Sequence, residues 1–247
     1  MKYKFTSKEN FSDFSSGKVI NSIPGIPAFP IRLMSEVFQF CLSKRKQNNP
    51  VTIYDPCCGS AYHLTVLSFL HIDRINKIYC SDIDEKVLTI ADKNLKLLTI
   101  DGINDRIQEL KILFQRFHKN SHKDAYESAE KLKTILFKKK PHIDILKKSF
   151  SNNILNPSFP SELVETNIDL VFADIPYGKS TEWISRNNEV EEVWLLLENI
   201  LKIINNQTLI AIAQTNKIPI EHESYVQIKK MKIGKRIIRI YKMKDFI

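Results

Sequence analysis

The architecture of this chain begins with residues 51–60, which read Val51-Thr52-Ile53-Tyr54-Asp55-Pro56-Cys57-Cys58-Gly59-Ser60. The first half is rich in β-branched and aromatic residues, which predicts a short buried strand over 51–55. The loop after it contains Gly59, a residue type that lets a ligand approach the backbone closely. Apolar residues then recur at helical spacing from 61 to 71. The stretch therefore predicts the first strand, loop and helix of an α/β fold.

Strands and helices continue to alternate beyond this unit. A second strand is predicted over 78–82, and Asp84 is well placed to cap the helix that follows. Apolar periodicity predicts the remaining elements, which are strands over 143–146, 168–174 and 208–214 and a helix over 189–204. This order indicates an α/β fold with a doubly wound, mostly parallel sheet and helices on both faces. We expect residues 1–247 to form a single domain.

Three segments depart from the alternation. Residues 105–140 have a purely helical pattern that is too long for one crossover helix, so we predict an inserted helical hairpin. Residues 225–243, with Gly234 at the turn, predict a C-terminal antiparallel hairpin. The N-terminal extension, 1–46, ends in a predicted helix over 31–45, and its polar first 20 residues are expected to be loosely attached.

Composition narrows the class of protein. The 247 residues carry a formal net charge of +9 and are 43% hydrophobic, which is enough to bury one core. A basic protein of this kind often binds nucleic acid, although a lysine-rich surface also serves solubility alone. The sequence shows no signal-peptide pattern and no apolar run of membrane-spanning length, so a cytoplasmic protein without membrane contact is expected.

The cysteines do not predict a metal site. The sequence has Cys41, Cys57, Cys58 and Cys80, with no CxxC pair of the kind that binds zinc. We expect small, buried, reduced thiols, as is usual in the cytoplasm.

Two acidic residues at predicted strand ends are candidates for cofactor binding. Asp55 is placed to accept a hydrogen bond from an ammonium group or to order the loop after it. Asp82 ends the second strand, where a carboxylate can bind both hydroxyls of a ribose, although an acid there can also cap a helix. The spacing between them fits a nucleotide-binding α/β fold. Because the loop has Gly59 but no GxGxxG pattern, an NAD enzyme is disfavoured.

A second loop, Asp174-Ile175-Pro176-Tyr177-Gly178, supplies a candidate substrate site. Pro176 restrains the preceding residue to an extended backbone, which directs the Asp174 carboxylate and the Ile175 carbonyl outward. These two acceptors match the N–H edge of guanine or an exocyclic amine, and Tyr177 offers a stacking face. Asp174 could accept the proton of guanine N1 as a general base. A plain turn after a buried strand is the alternative interpretation.

Two nearby side chains extend this candidate site. Lys179 is placed to contact a phosphate, and Trp183 could form a second aromatic wall.

These motifs resemble a known family. The loops 55–60 and 174–178 are similar to those of class I methyltransferases with an Asp/Asn-Pro-Pro-Tyr motif, and the chain more closely resembles the AviRa family of ribosomal RNA methyltransferases. The stretch 23–33, IPGIPAFPIRL, also resembles that family, as do residues 64–67, 217–219 and 232–234. The resemblance implies S-adenosylmethionine as methyl donor, guanine N1 of 23S ribosomal RNA as acceptor, and a link to antibiotic resistance.

The resemblance also implies roles for individual residues. Asp174 would lie between cofactor and base as the catalytic residue and would also contact the cofactor. The other implied cofactor-binding residues are Asp55, Cys57, Gly59, Ser60, Asp82 and Ile83. The implied substrate-binding residues are Pro176, Tyr177 and Lys179.

Two positions depart from the family pattern. Ala61 stands where the family has a second glycine, and alanine fits if its φ is negative. The third strand usually delivers an acid to the adenine amine, whereas the matching residues 147–150 here read KKSF. Adenine recognition is therefore expected to use backbone groups or Ser149.

Basic residues suggest where RNA binds. The terminal hairpin has almost no acids, which favours contact with RNA phosphates there. Its basic residues are Lys229, Lys230, Lys232, Lys235, Arg236, Arg239, Lys242 and Lys244. The helical insertion is also lysine-rich but is balanced by acids, so its role stays open, as does the choice between cofactor carboxylate and RNA phosphate for Arg32.

The leading hypothesis is a monomeric methyltransferase that acts on 23S ribosomal RNA or a large-subunit precursor. A second hypothesis keeps the chemistry and changes the acceptor to guanine N2, adenine N6 or a protein amide. A third is an RNA-binding ribosome-assembly factor that has lost catalysis, which is suggested by Ala61 and the missing adenine acid.

Overall fold

The computed structural model describes residues 2–25, 28–139, 145–175, 189–214 and 220–244. Its strands are β1 Val51–Asp55, β2 Ile75–Asp82, β3 Leu146–Ser151, β4 Leu170–Asp174, β5 Leu209–Gln214, β6 Tyr225–Ile233 and β7 Arg236–Met243. In the described residues these form one seven-stranded sheet in the order β3-β2-β1-β4-β5-β7-β6. Strands β1 to β5 pair in parallel, and β7 is antiparallel to both β5 and β6. The predicted doubly wound, mostly parallel sheet with a terminal antiparallel hairpin is confirmed.

The helices cover the sheet. They are α1 Ile31–Lys44, α2 Tyr62–Leu70, α3 Glu85–Lys96, α4 Ile100–Phe117, α5 Asn120–Lys139, α6 Ser161–Val164 and α7 Glu189–Ile200. Side chains alternate along the strands between two hydrophobic cores. Ile53 and Phe172 face the core that includes residues of α1 to α5, and Tyr54 and Val171 face the core that includes residues of α6 and α7. In the described part of the chain, no helix is long and apolar enough to cross a membrane.

Helices α4 and α5 form the predicted helical hairpin, which begins earlier than expected. The first helix starts at Ile100 rather than at 105 because Thr99 caps it, its Oγ1 accepting a 3.0 Å hydrogen bond from Gly102 N. Gly102 allows α4 to start directly against the end of α3, since a Cβ there would lie 2.0 Å from the carbonyl oxygen of Lys96.

The expectation of a loosely attached N-terminus is wrong. Glu36, only 2% exposed on α1, accepts hydrogen bonds from the backbone N–H groups of Lys4, Phe5 and Thr6 at 2.6, 2.9 and 2.9 Å. Arg32 donates to Thr6 O from both Nε and Nη2, at 3.2 and 2.9 Å. Arg32 therefore binds the backbone of the N-terminal segment. This contact is neither of the two that the sequence suggested, which were the cofactor carboxylate and an RNA phosphate.

The third strand lies later than predicted. It runs over Leu146–Ser151, where pairing with β2 sets Asp82 opposite Ser151, and residues 143 and 144 lie outside the described residues. β3 is an edge strand, where lysines are tolerated because one side of the strand faces solvent. Ser149 lies inside this strand and donates to Asp92 of α3. The strand ends at Ser151. The next residue is Asn152, so an amide and not an acid follows the third strand.

Candidate functional site

Three carboxylates meet at the carboxyl edge of the sheet. Asp55 ends β1, and Asp82 and Asp174 end β2 and β4, the two strands that pair with β1 on either side. Because β1 and β4 are adjacent, the loops that follow Asp55 and Asp174 leave the same edge of the sheet side by side. In open α/β sheets this edge is where ligands bind.

The loop with Gly59 is fastened to the end of β2. Gly59 N donates to Oδ2 of Asp82 at 2.8 Å, and Cys58 N donates to Ser81 O at 2.9 Å. Gly59 has φ +53°, a left-handed conformation that favours glycine, and a Cβ at this position would meet no atom within 4 Å. The loop thus presents open space beside a fixed backbone.

Asp82 is half-buried and ordered by its own backbone neighbours. Its Oδ1 accepts from Asp84 N at 3.1 Å, and Asp84 caps α3 as predicted, accepting from Lys86 N at 2.9 Å. Burial raises the pKa of Asp82, and the Asp55 carboxylate adds to that effect, while hydrogen bonds from the backbone of Asp84 and Gly59 oppose it. The carboxylate is held in place without a cation bound to it among the described residues.

Asp55 is fully buried and orders the loop. Its Oδ1 accepts from Cys57 N at 2.9 Å, and its Oδ2 lies 2.5 Å from Nε2 of His63. Burial by itself lowers the pKa of His63, but the adjacent Asp55 carboxylate outweighs this and raises it overall. His63 was missed in the sequence, although a histidine on a helix face that is otherwise apolar was a usable signal. Its ring packs between Phe29 and Phe172.

The surroundings of Asp174 strongly alter its acidity. Burial raises its pKa to about 6, opposed by the charges of Arg236 and His63 and reinforced by that of Asp55. Among the residues described, its buried Oδ1 has no hydrogen-bond partner. Arg236 Nη2 lies 3.6 Å from the other oxygen, Oδ2. A carboxylate with a buried, unsatisfied acceptor and a pKa near neutrality suits proton transfer.

Pro176, Tyr177, Lys179 and Trp183 lie outside the described residues. Ile175 is described, is 1% exposed and donates from its backbone N–H to Ala213 O of β5 at 3.2 Å.

Arg236 belongs to this site, whereas the sequence placed it with the RNA-binding residues of the hairpin. Its guanidinium lies 4.9 Å from the ring centroid of Phe29, and Nη1 donates to Ala28 O at 3.2 Å. Arg239, also assigned to RNA, is 1% exposed and donates to Oε1 of Gln227 at 2.9 Å, so that assignment is wrong. Arg236 and Arg239 are three residues apart on β7, so their side chains point to opposite faces of the sheet, and each face of β7 packs on a hydrophobic core.

Ala61 adopts the conformation that the sequence had not expected. Its φ is +50°, and the residue is fully buried at the start of α2. The expectation that Ala61 fits the loop with a negative φ is therefore wrong. The left-handed conformation costs an alanine about 1–2 kcal/mol. The loop imposes this geometry, since Ala61 N donates to Cys58 O at 2.8 Å while Ala61 O accepts from Thr65 N at 3.0 Å.

The remaining loop residues surround the carboxylates. Burial raises the pKa of the Cys57 thiol, which keeps it protonated, and Ser60 O accepts from Nδ2 of Asn94 at 2.8 Å. Ile83 is 43% exposed beside Asp82. At the end of β3, Asn152 N donates to Asp82 O at 3.0 Å, so an amide side chain follows the strand at the site.

The family model for rRNA methyltransferase AviRa matches residues 1–236. The chain belongs to the AviRa family of rRNA methyltransferases. A curated relative from Streptomyces viridochromogenes, named 23S rRNA (guanine(2535)-N(1))-methyltransferase, is 32% identical over 238 residues. This match covers 96% of the present chain and 93% of the relative.

Solved AviRa structures have the same architecture. Two structures of the rRNA methyltransferase AviRa from Streptomyces viridochromogenes match with TM-scores of 0.84 and 0.83, at 32% and 31% identity. The matches cover 96% and 95% of this chain and 94% and 93% of those chains. The resemblance drawn from residues 23–33, 55–60 and 174–178 is confirmed, and the protein is a methyltransferase of the AviRa type with a class I methyltransferase fold.

Proposed function

We propose that this AviRa-family protein transfers a methyl group from S-adenosylmethionine to N1 of a guanine in 23S ribosomal RNA. The observation that carries the proposal is Asp174, whose buried Oδ1 lacks a partner among the described residues and whose pKa is raised to about 6. The name of the curated relative supports guanine N1 as the acceptor.

The described residues fit the cofactor. Gly59 borders open space, as a ligand lying against the backbone requires. Backbone N–H groups hold Asp82 in place, and its two oxygens have acceptor sites beyond those that the backbone uses, which suits the two hydroxyls of a ribose. Ile83 offers exposed apolar surface for the adenine ring. Cys57 and Ser60 would line the cofactor site from the loop after β1. Asp55 would fix the conformation of that loop through its hydrogen bond from Cys57 N.

The chain's own residues then position and deprotonate the base. S-adenosylmethionine, when bound, supplies a methyl group made electrophilic by its sulfonium. Neutral guanine N1 carries a proton, which Asp174 accepts at its unpartnered Oδ1 as N1 becomes the nucleophile. Arg236 favours the ionised form of Asp174 before the proton arrives, because its charge lowers the pKa of that carboxyl. Pro176, Tyr177 and Lys179 remain the proposed contacts to the base and its phosphate.

Further properties follow as parts of the same proposal. We infer a monomeric, single-domain enzyme that acts on 23S ribosomal RNA or its precursor in the cytoplasm. The four cysteines are all free thiols, which supports a reducing compartment.

Methyl transfer by the purified protein tests the proposal. The protein is incubated with methyl-labelled S-adenosylmethionine and a 23S rRNA transcript, and the RNA is digested to nucleosides. We expect label in N1-methylguanosine, loss of label in Asp174→Asn, and retained cofactor binding by that variant in calorimetry. Label in N2-methylguanosine, in N6-methyladenosine or on protein overturns the assigned atom. RNA binding without any transfer by the wild-type protein overturns the enzyme.

A further inference from the structure

A lysine-rich groove lies outside the site of the three carboxylates. It has a volume of about 800 Å³ and is formed by the N-terminal segment, α1 and β6. We call it the basic groove. The lysines that line it are Lys2, Lys4, Lys44, Lys229, Lys230 and Lys232.

The groove has a strong excess of positive charge. Six lysines line it against one carboxylate, and all six lysines are exposed. The carboxylate, Glu36, is 2% exposed and accepts hydrogen bonds from three backbone N–H groups of the N-terminal segment. Within the described residues, no carboxylate forms an ion pair with any of the six ammonium groups. The groove is therefore lined by six lysine residues, and its single carboxylate is already hydrogen-bonded to the backbone.

An aromatic ring brings the two walls together. The ammonium groups of Lys44 on α1 and Lys229 on β6 lie 5.5 and 5.6 Å from the ring centroid of Phe40. Both are within the range of a cation–π contact. The ammonium groups of Lys44 on the helix and Lys229 on the strand therefore lie close to the same ring.

The basic groove ends near the carboxyl edge of the sheet. Gly234 lines the groove, and Arg236, two residues further along the chain, has its guanidinium 3.6 Å from Asp174. Two residues of chain span roughly 7 Å at most. A polymer bound at Asp174 would have only the turn between β6 and β7 to cross before it meets the groove.

We propose that the basic groove binds the phosphate backbone of the RNA strand that carries the target guanine. The inference rests on the proposed function and adds a second contact region to it. Lysines suit this role because phosphate contacts fix the position of a nucleic acid without reading its sequence. Lysines on β6 also protect an exposed sheet edge, but that purpose does not require Lys2, Lys4 and Lys44 on the opposite wall.

A charge-matched pair of triple variants tests the groove. The groove variant carries Lys229→Gln, Lys230→Gln and Lys232→Gln. The control variant carries Lys111→Gln, Lys119→Gln and Lys138→Gln, which remove the same charge from exposed positions of the helical hairpin. Binding of a fluorescent 23S rRNA transcript is measured by anisotropy at several salt concentrations, and cofactor binding is measured by calorimetry.

The groove variant should bind the transcript at least about tenfold more weakly at low salt, because it lacks three phosphate contacts. The slope of log K against log salt should fall in magnitude by about 2 to 3, and the control should stay close to wild type. Equal weakening in both variants, or unchanged binding in the groove variant, overturns the proposal. Unchanged cofactor affinity in the groove variant excludes misfolding as the cause of weaker RNA binding.

The outcome is separable from the proposed function. If the wild-type protein methylates the transcript while the groove variant binds RNA normally, the groove proposal fails alone. If the groove variant loses RNA binding but the wild-type protein transfers no methyl group, the enzyme proposal fails alone.

Discussion

Arg236 at the start of β7 lies beside Asp174 at the end of β4, with Nη2 3.6 Å from Oδ2. The pair joins the antiparallel hairpin to the parallel part of the sheet at the point where catalysis is proposed. Burial raises the pKa of Asp174 to about 6, and Arg236 is the largest influence that opposes the rise. The acidity of the proposed base is therefore set by two strands that are not neighbours in the sheet.

The rate of methyl transfer should depend on the ionisation of Asp174. Because its pKa is raised to about 6, the carboxylate is ionised above that pH and protonated below it. The rate should therefore fall as the pH decreases through about 6, with the logarithm of the rate tending to a slope of one. Asp174→Asn should lower the rate roughly 10²- to 10⁴-fold and remove this inflection. A variant that keeps the wild-type profile would show that another group removes the proton.

Arg236→Gln should move the same inflection to higher pH. The substitution removes the positive charge that lowers the pKa of Asp174, so more of the carboxyl is protonated near neutrality. The rate at pH 6 should fall more than the plateau at high pH, measured at saturating RNA. Lys235→Gln is the matched control. Lys235 is exposed and directly precedes Arg236, so its substitution removes the same charge from the neighbouring position. Equal pH profiles for the two variants would contradict a role for Arg236 in the acidity of Asp174.

Asp82→Ala should weaken binding of S-adenosylmethionine roughly 10- to 100-fold in calorimetry, the loss expected for hydrogen bonds to a charged acceptor. Asp84→Ala is a control only two residues away. Asp84 caps α3 through Lys86 N, so its loss should cost about 1 kcal/mol of stability and leave cofactor affinity unchanged. If the two variants bind the cofactor alike, Asp82 does not hold the ribose.

Ala61→Gly should leave the free energy of unfolding unchanged or raise it by up to about 1 kcal/mol. The left-handed strain of about 1–2 kcal/mol is relieved, and the greater backbone freedom of glycine offsets part of it. Ala91→Gly is the control, because Ala91 is equally buried but lies within the helix α3. This variant should lose about 1 kcal/mol of unfolding free energy. Denaturant unfolding compares them. Equal losses in both variants would contradict a strained Ala61.

The sequence was most informative where the signal is local. β-branched runs predicted β1 and the hairpin of β6 and β7, and the ends of apolar runs predicted the strand-end positions of Asp55, Asp82 and Asp174. These inferences succeed because strand propensity and strand-end position depend on residues close together in the chain.

The sequence misled where the partner is distant. The N-terminal segment is polar, yet it is held by Glu36 some 30 residues away. The bounds of β3 depend on its pairing with β2. The residues around Lys147 and Lys148 have no local pattern that predicts this pairing. The positive φ of Ala61 comes from the closed loop around it, and the burial of Arg239 comes from the position of β7 inside the sheet. Each requires the tertiary fold.

The modification map of 23S ribosomal RNA tests the central claim most directly. RNA from cells with the protein, without it, and with Asp174→Asn in its place is digested and mapped by mass spectrometry. We predict one guanosine methylated at N1 in the first strain and unmodified in the other two. An unchanged map in the strain without the protein, or a lost methyl group at guanine N2 or adenine N6, would contradict the account.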